Sequence, residues 1–488
     1  MQIYKYFFIY TSVYCRIIVE FFHKTPHFET CKLSTFFPHL NNPFLLNLQK
    51  YIYMNREILR LAIPNIISNI TIPLLGLVDM ILMGHLSSAS YIGAIALGGT
   101  IFSVLYSFFS FLRAGTTGFT AQALGSNNKT EIIYSLYRSL CIGIPIIILI
   151  LSLQIPIAKI SNILLDGSNE VKSLAIEYFY VRIWAAPANI LLYCLNGWFV
   201  GMQNTKIPML IAILINIMNI ILSIFFVIIL KQNVTGVALG TVIAQYCGLT
   251  LAIILLIKRY KSYFIRIERS ILLDFGKIKH FFKVNTDLMI RSFLLIISIA
   301  FFTNQSAKLG DNILAINMII LQSFYIFSYF TDGFAYAGEA LVGKFIGSND
   351  RNKLVRSINL LLVWGFSISI PFTILYALFP ATFVKIISTN PNILLEIEPY
   401  YIYMIVIPII TFAAFIWDGI YIGATASKAI RNTMIISSVF VFLPSWYFLT
   451  PRFENHGLWI AFLCFMITRS IVMTFMAKKN IIQLVNKN

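Results

Sequence analysis

Gly125-Ser126-Asn127-Asn128-Lys129 returns 222 residues later as Gly347-Ser348-Asn349-Asp350-Arg351. A glycine, small polar side chains and a cation between long apolar runs read as a tight turn at a polar boundary. The spacing recurs. Gly197-xxx-Gly201 with Lys206 matches Gly419-xxx-Gly423 with Lys428, again 222 positions on. Gly236-Val237-Ala238 matches Gly457-Leu458-Trp459 at 221, and Glu177 matches Glu398 at 221. Chance can give one such match; four along one diagonal mark an internal duplication, the plan of many transporters.

The material duplicated is membrane-spanning helix. Of 488 residues, 58% are hydrophobic and 11% charged, with a mean hydropathy of +0.81. Soluble chains carry about a quarter charged residues, so a soluble multidomain enzyme is excluded. The 42 Phe and 25 Tyr exclude disorder, and the short alternating segments of a membrane barrel are absent. Twelve apolar runs fit helical spans: 59–83, 91–120, 132–158, 172–200, 207–230, 235–257, 282–305, 313–343, 354–379, 396–423, 432–450 and 456–477. The expected fold is all-α and integral to the membrane. Six spans in each half make an even number, so the halves are parallel repeats, two six-helix bundles related by a pseudo-twofold along the membrane normal. The bundles are 54–257 and 282–488, joined by a basic linker, 258–281. Residues 1–53 lie outside both repeats and read as an extension, with Met54 a candidate initiator.

The chain has 37 Lys+Arg against 19 Asp+Glu, a net +18. A nucleic-acid binder gathers such charge on one face; here it is scattered through short loops. Counting by loop puts 22 cations on one side and 6 on the other, which places both termini in the cytoplasm. The expected location is a cytoplasmic membrane, crossed many times by a monomer. The partners are lipid and small molecules, not nucleic acid. Six dispersed cysteines with no CxxC pair, and six histidines with no HExxH, point to no metal, disulfide framework or cofactor.

Ionisable residues inside a bilayer are functional candidates by default. Asp79 stands late in the first span, after Pro64 and Pro73, each of which removes a backbone hydrogen bond and can bend the helix. Burial disfavours a carboxylate's charged form, so Asp79 can take and release a proton; solvation at the outer interface is its bland alternative. Asp332 and Glu339 are two helical turns apart and share a face. By depth, at ~1.5 Å per residue, Arg291 lies about 12 Å in, between Asp332 at about 18 Å and Glu339 at about 7 Å. Arg291 is therefore expected to pair with one of them, with Asp287 one turn away as a local partner. A purely structural ion-pair network is the alternative. Asp418, whose repeat mate is Asn196, reads as a cavity or packing group. Arg113, Arg182 and Arg469 read as snorkelling or bundle-facing. Asn69, Asn216 and Asn219 suit interhelical hydrogen bonds, and paired glycines such as Gly197 and Gly419 suit close helix packing.

Several stretches together resemble a known family. They are Leu61-Ala62-Ile63-Pro64-Asn65, Val78-Asp79-xxxx-Gly84-His85-Leu86, Arg291-Ser292, Asp332-Gly333-Phe334-Ala335-Tyr336-Ala337-x-Glu339-Ala340 and Asp418-Gly419-xx-Ile422-Gly423-Ala424-Thr425. From Met54 onward the chain resembles the multidrug and toxic compound extrusion (MATE) transporters, and most of all the branch called DNA-damage-inducible protein F. The resemblance implies two six-helix bundles around a cleft and export of organic, often cationic or amphipathic, compounds against inward H⁺ or Na⁺. It puts the first-helix acid on Asp79 and the bend on Pro64. Where many members carry Asn-xxx-Asp in the fifth span, this chain has Asn219-Ile220-Ile221-Leu222-Ser223. With Ser223 in place of the second acid, coupling falls to Asp79 alone or to the second-half cluster. H⁺ is favoured, since Na⁺ needs several oxygen ligands at once. The polar cavity candidates are Asn69, Asn196, Asn219 and Ser223.

Two rival functions have sequence signatures of their own. A flippase for lipid-linked oligosaccharide or peptidoglycan precursors, from the same superfamily, would line its cavity with cations for a diphosphate; this candidate cavity holds more acid than base. A membrane enzyme would need an acid/base pair or nucleophile in an interface loop, and none is present. No P-loop exists for an ATP-driven pump.

Overall fold

The computed structural model describes residues 43–84, 89–164, 167–264, 268–272 and 274–485, and every regular element among them is helical. Contacts divide the chain into two units, Met1–Met54 and Asn55–Asn488. Of the first, the described part is the start of helix α1 (Pro43–Gly84); residues 1–42, most of the expected extension, lie outside the described residues. The second unit contains all that follows.

Its helices are α2 (Ala89–Phe109), α3 (Phe111–Gly125), α4 (Lys129–Ser152), α5 (Gln154–Leu164), α6 (Asn169–Arg182), α7 (Ala186–Gly201), α8 (Lys206–Ile224) and α9 (Asn233–Tyr260) in the first half. A short α10 (Arg269–Leu272) precedes α11 (Phe275–Lys308), α12 (Asp311–Gly347), α13 (Arg351–Leu378), α14 (Pro380–Ile387), α15 (Pro391–Glu396), α16 (Tyr401–Gly423), α17 (Ser427–Ile435) and α18 (Leu443–Asn480). Ten stretches among the described residues are long and apolar enough to cross a membrane. Nine fall on the expected spans from 91–120 to 396–423. The last two expected spans form one stretch, Ser427–Leu484, broken at Glu454, where φ 47° and ψ −124° leave the helix. The first expected span lies within α1, which runs on through Pro64 and Pro73. The carbonyl of Arg60, which Pro64 leaves without its helical donor, lies 3.4 Å from the Thr205 hydroxyl.

The repeated turn has one structure in both places. Asn127 (φ 53°) and Asn349 (φ 54°) are left-handed, a conformation asparagine tolerates better than most side chains. The next residue caps the following helix. Asn128 Oδ1 accepts the Glu131 N–H at 3.0 Å, starting α4; Asp350 Oδ1 accepts that of Lys353 at 2.9 Å, starting α13. Partial burial acts to raise the Asp350 carboxyl, but the Lys353 N–H and ammonium outweigh it and hold it below the ordinary range. Gln203 and Thr425, 222 apart, and Lys231 and Glu454, 223 apart, are left-handed too.

Where these turns sit, the two halves meet. A Cβ on Gly125 would lie 2.0 Å from the Lys344 carbonyl, and one on Gly347 would lie 2.0 Å from that of Gln122. Gln122 and Lys344 are themselves 222 apart, so the two contacts are mates. Ala121 and Gly343, also mates, face each other, with 2.6 Å between the Ala121 Cβ and one built on Gly343. The side-chain amide of Gln122 donates to the Gly423 carbonyl (3.0 Å), and that of Gln203 to the Ala340 carbonyl (2.7 Å). Backbones that approach so closely bring α3 against α12 and α16. They thereby carry the charged side chains of those helices to one place.

Candidate functional site

Six ionisable side chains gather beside this seam. Arg113, on α3, reaches across to Glu339 on α12 with two parallel hydrogen bonds of 2.9 and 3.0 Å. Glu339 is 1% exposed. The Tyr336 ring, one turn before Glu339, lies 4.0 Å from the Arg113 guanidinium, close enough for a cation–π contact. Asp418, on α16, is clasped by Arg291 of α11 and by Arg469 of α18 at 2.6 Å. Both arginines address Oδ2, and Asp418 Oδ1 is buried without a hydrogen bond among the described residues.

Asp332 stands apart. It lies within electrostatic reach of both Arg291 and Arg113, yet among the described residues it makes no hydrogen bond and no ion pair. It is partly exposed, whereas Glu339 and Asp418 are buried. One face of α12 thus presents a locked acid, Glu339, and an uncommitted one, Asp332.

Three expected pairings are corrected. Arg291 takes Asp418, not Asp332 or Glu339; Glu339 takes Arg113. Asp287 does not pair with Arg291. It accepts from Arg431 at 2.6 Å and from the Ser427 hydroxyl at 2.8 Å. The physical reason is that depth along a single helix does not fix a partner, which is set by the helices that cross there. Arg113 and Arg469, read only as snorkelling or bundle-facing, are the missed members. Both face the interior, Arg469 at 1% exposure. An intramembrane arginine in need of a carboxylate was the available signal.

The other candidates are scattered. Asn69 donates to the Tyr329 carbonyl at 3.1 Å, tying α1 to α12. Asn219 donates to Thr241 at 2.8 Å, and its Oδ1, like the Ser223 Oγ one turn on, is buried without a partner among the described residues. Asn196 Oδ1 is likewise unpartnered. Asp79 is carried by α1, but its side chain lies outside the described residues. Among the described residues no group of three or more His, Cys, Asp or Glu converges as a metal would require.

Comparison with known proteins places this architecture. The MatE family model matches twice, over residues 64–225 and 288–447. The chain belongs to the MatE family. One match falls within 54–257 and the other within 282–488. DNA damage-inducible protein F of Escherichia coli (strain K12) is 32% identical over 446 residues, covering 91% of this chain and 95% of that protein. The probable multidrug resistance protein NorM of Thermotoga maritima is 21% identical, over 70% of this chain and 74% of its own. Among solved structures, the Vibrio cholerae MATE transporter VcmN in the bent form superposes with a TM-score of 0.80 at 15% identity, over 89% of this chain and 99% of that one. At such identity the likeness shows the fold alone. MATE proteins are membrane transporters, not enzymes, and relatives of this chain include proteins named for multidrug resistance.

Proposed function

We propose that this MATE protein is a secondary active antiporter of the cytoplasmic membrane. It exports organic, often cationic or amphipathic, compounds in exchange for H⁺, through alternating access of two six-helix bundles related by a pseudo-twofold. Twelve spans, with both termini cytoplasmic, follow if α1 supplies the first span and Glu454 divides the last stretch. The Gly125/Gly347 end is then the cytoplasmic one. The protein acts as a monomer.

One observation carries the reading: Asp332 is an acid in a membrane-spanning helix with no hydrogen bond or ion pair among the described residues, while its neighbours Glu339 and Asp418 are held by arginines. A carboxylate left uncommitted can meet a cation or a proton; one already paired cannot do so without breaking its pair. Asp79 and Asp332 are the proposed coupling and substrate acids, one in each half. The flippase reading needs cations free to hold a diphosphate. Here Arg113, Arg291, Arg431 and Arg469 are each engaged by a carboxylate.

The test is drug accumulation in everted vesicles under an imposed pH gradient, with and without Na⁺. Wild type is expected to accumulate a cationic dye on the pH gradient alone. Asp79→Asn and Asp332→Asn, which keep size and hydrogen bonding but not titration, should express normally and fail to accumulate it. Undiminished pH-driven uptake by both variants would sink the assignment, and uptake only with Na⁺ would replace H⁺ as the coupling ion.

A further inference from the structure

The seam between the halves is nearly symmetric in its packing but not in its charge. Gly125 against Lys344 repeats as Gly347 against Gln122, and Ala121 faces its own mate Gly343. The Arg113–Glu339 pair has no such repeat. The position 222 after Arg113 is Ala335, and the position 222 before Glu339 is Thr117. The mate of the ion pair is therefore an alanine and a threonine, which can form no ion pair. An ion pair present on only one side of a symmetric seam is not demanded by the packing.

Its placement is also distinctive. The pairs made by Asp418 and Asp287 lie wholly within the second half. Arg113–Glu339 crosses from one half to the other. A second crossing pair, Glu57 on α1 with Lys344 on α12 at 3.6 Å, lies nearer the turn and is more exposed. The Arg113 pair is the buried one, doubly hydrogen-bonded and stacked on Tyr336. Bidentate geometry of this kind fixes orientation as well as distance.

We propose that Arg113–Glu339 is a latch between the two halves. It holds the Gly125/Gly347 end shut, and Asp332 is the second carboxylate that receives Arg113 when that end opens. The inference rests on the alternating-access reading above. Separation of α3 from α12 takes Arg113 off Glu339, and a guanidinium stranded in the membrane interior is strongly disfavoured. Asp332 lies two turns along the same helix, on the same face, without a hydrogen bond or ion pair of its own among the described residues and already within electrostatic reach of Arg113. Tyr336 stands between the two acids, where its ring can keep contact with the guanidinium as it moves.

The test reads the seam itself. Ser126 and Ser348 lie at the ends of α3 and α12. Cysteines placed there in an otherwise cysteine-free protein, spin-labelled and reconstituted in lipid, report the distance between the halves. Wild type should show one short distance. Glu339→Gln should add a longer one, raising the open-to-closed ratio on the order of tenfold or more. The reversed pair, Arg113→Glu with Glu339→Arg, should restore the short distance. Asp332→Asn alone should keep it, and a shift to the open form in that variant would contradict its role as receiver. A folded Glu339→Gln protein whose distance distribution equals that of wild type overturns the latch. If Glu339→Gln does not fold, the comparison of Arg113→Gln with the reversed pair decides in the same way. Transport in the same vesicles separates the two readings. Uptake by wild type with distances insensitive to Glu339 defeats the latch alone. Distances that respond in a protein that moves no substrate defeat the transporter reading alone.

Discussion

At Asp418 one carboxylate oxygen takes two guanidinium groups, and this decides what the residue does. Removing one partner of a buried pair leaves an uncompensated charge, which typically costs about 3–5 kcal/mol. Asp418→Asn strands two arginines, Arg291 and Arg469, so a loss at the upper end of that range is expected in the thermal unfolding of the purified protein. Asp332→Asn should behave in the opposite way. With no hydrogen bond or ion pair among the described residues to lose, it should unfold within about 0.5 kcal/mol of wild type while abolishing transport. Equal melting of Asp418→Asn and Asp332→Asn would show that the two acids are not divided into structural and functional roles. The residue types of this cluster were legible in the sequence, because a charge inside an apolar span stands out. The pairing was not. Arg291 lies between Asp332 and Glu339 in depth, but depth does not say that α16 and α18, rather than α12, present a carboxylate and a second guanidinium to Arg291.

Among the helices, backbone contact sets the arrangement more than side-chain bulk. Gly419 lets α16 lie on α12, where a Cβ would sit 2.1 Å from the Ala335 carbonyl; at its mate Gly197 the distance to the Arg113 carbonyl would be 2.3 Å. Neither obstacle is a flexible side chain, so the helices themselves must move. Overpacking costs typically about 1–3 kcal/mol, and Gly419→Ala is expected at or above the top of that range. It should also weaken the Asp418 clasp one residue earlier. Gly99, in the middle of α2, has no obstacle within 4 Å of where a methyl group would stand. Gly99→Ala should therefore stabilise, by up to about 1 kcal/mol through helix propensity. Melting curves of the two variants side by side check this, and a Gly419→Ala protein as stable as Gly99→Ala would refute the crossing. The helices themselves were legible from apolar run length, and nine expected spans fall on nine helical stretches. The break at Glu454 was legible because Pro451-Arg452-Phe453-Glu454-Asn455 separates the expected spans 432–450 and 456–477. What run length does not carry is the interruption of a span by backbone geometry. The step between α2 and α3 at Ser110, and the tight turn at Ile183–Ala185 before Pro187, leave the apolar pattern unbroken.

Over the whole chain, the repeated turn was readable because left-handed asparagines and helix caps admit few residues, so 125–129 and 347–351 carry the same pattern. Both MatE matches lie after Met54, and contacts divide the chain at that residue. A chain starting at Met54 would open α1 with Asn55, Arg56 and Glu57. Asparagine is a strong helix cap, and an acid in the first turn favours the helix dipole. The second unit also holds this start in place. The Asn55 side-chain oxygen accepts from the Trp364 indole at 2.9 Å, and Glu57 pairs with Lys344. The shortened protein is therefore expected to insert, to melt within about 1 kcal/mol of the full chain and to accumulate dye in everted vesicles at the full-length rate. Protease protection of the loops and vesicle uptake measure these together. A shortened chain that inserts but does not transport would give residues 1–53 a part in the transport cycle, and one that does not insert would make them part of the membrane-targeting signal.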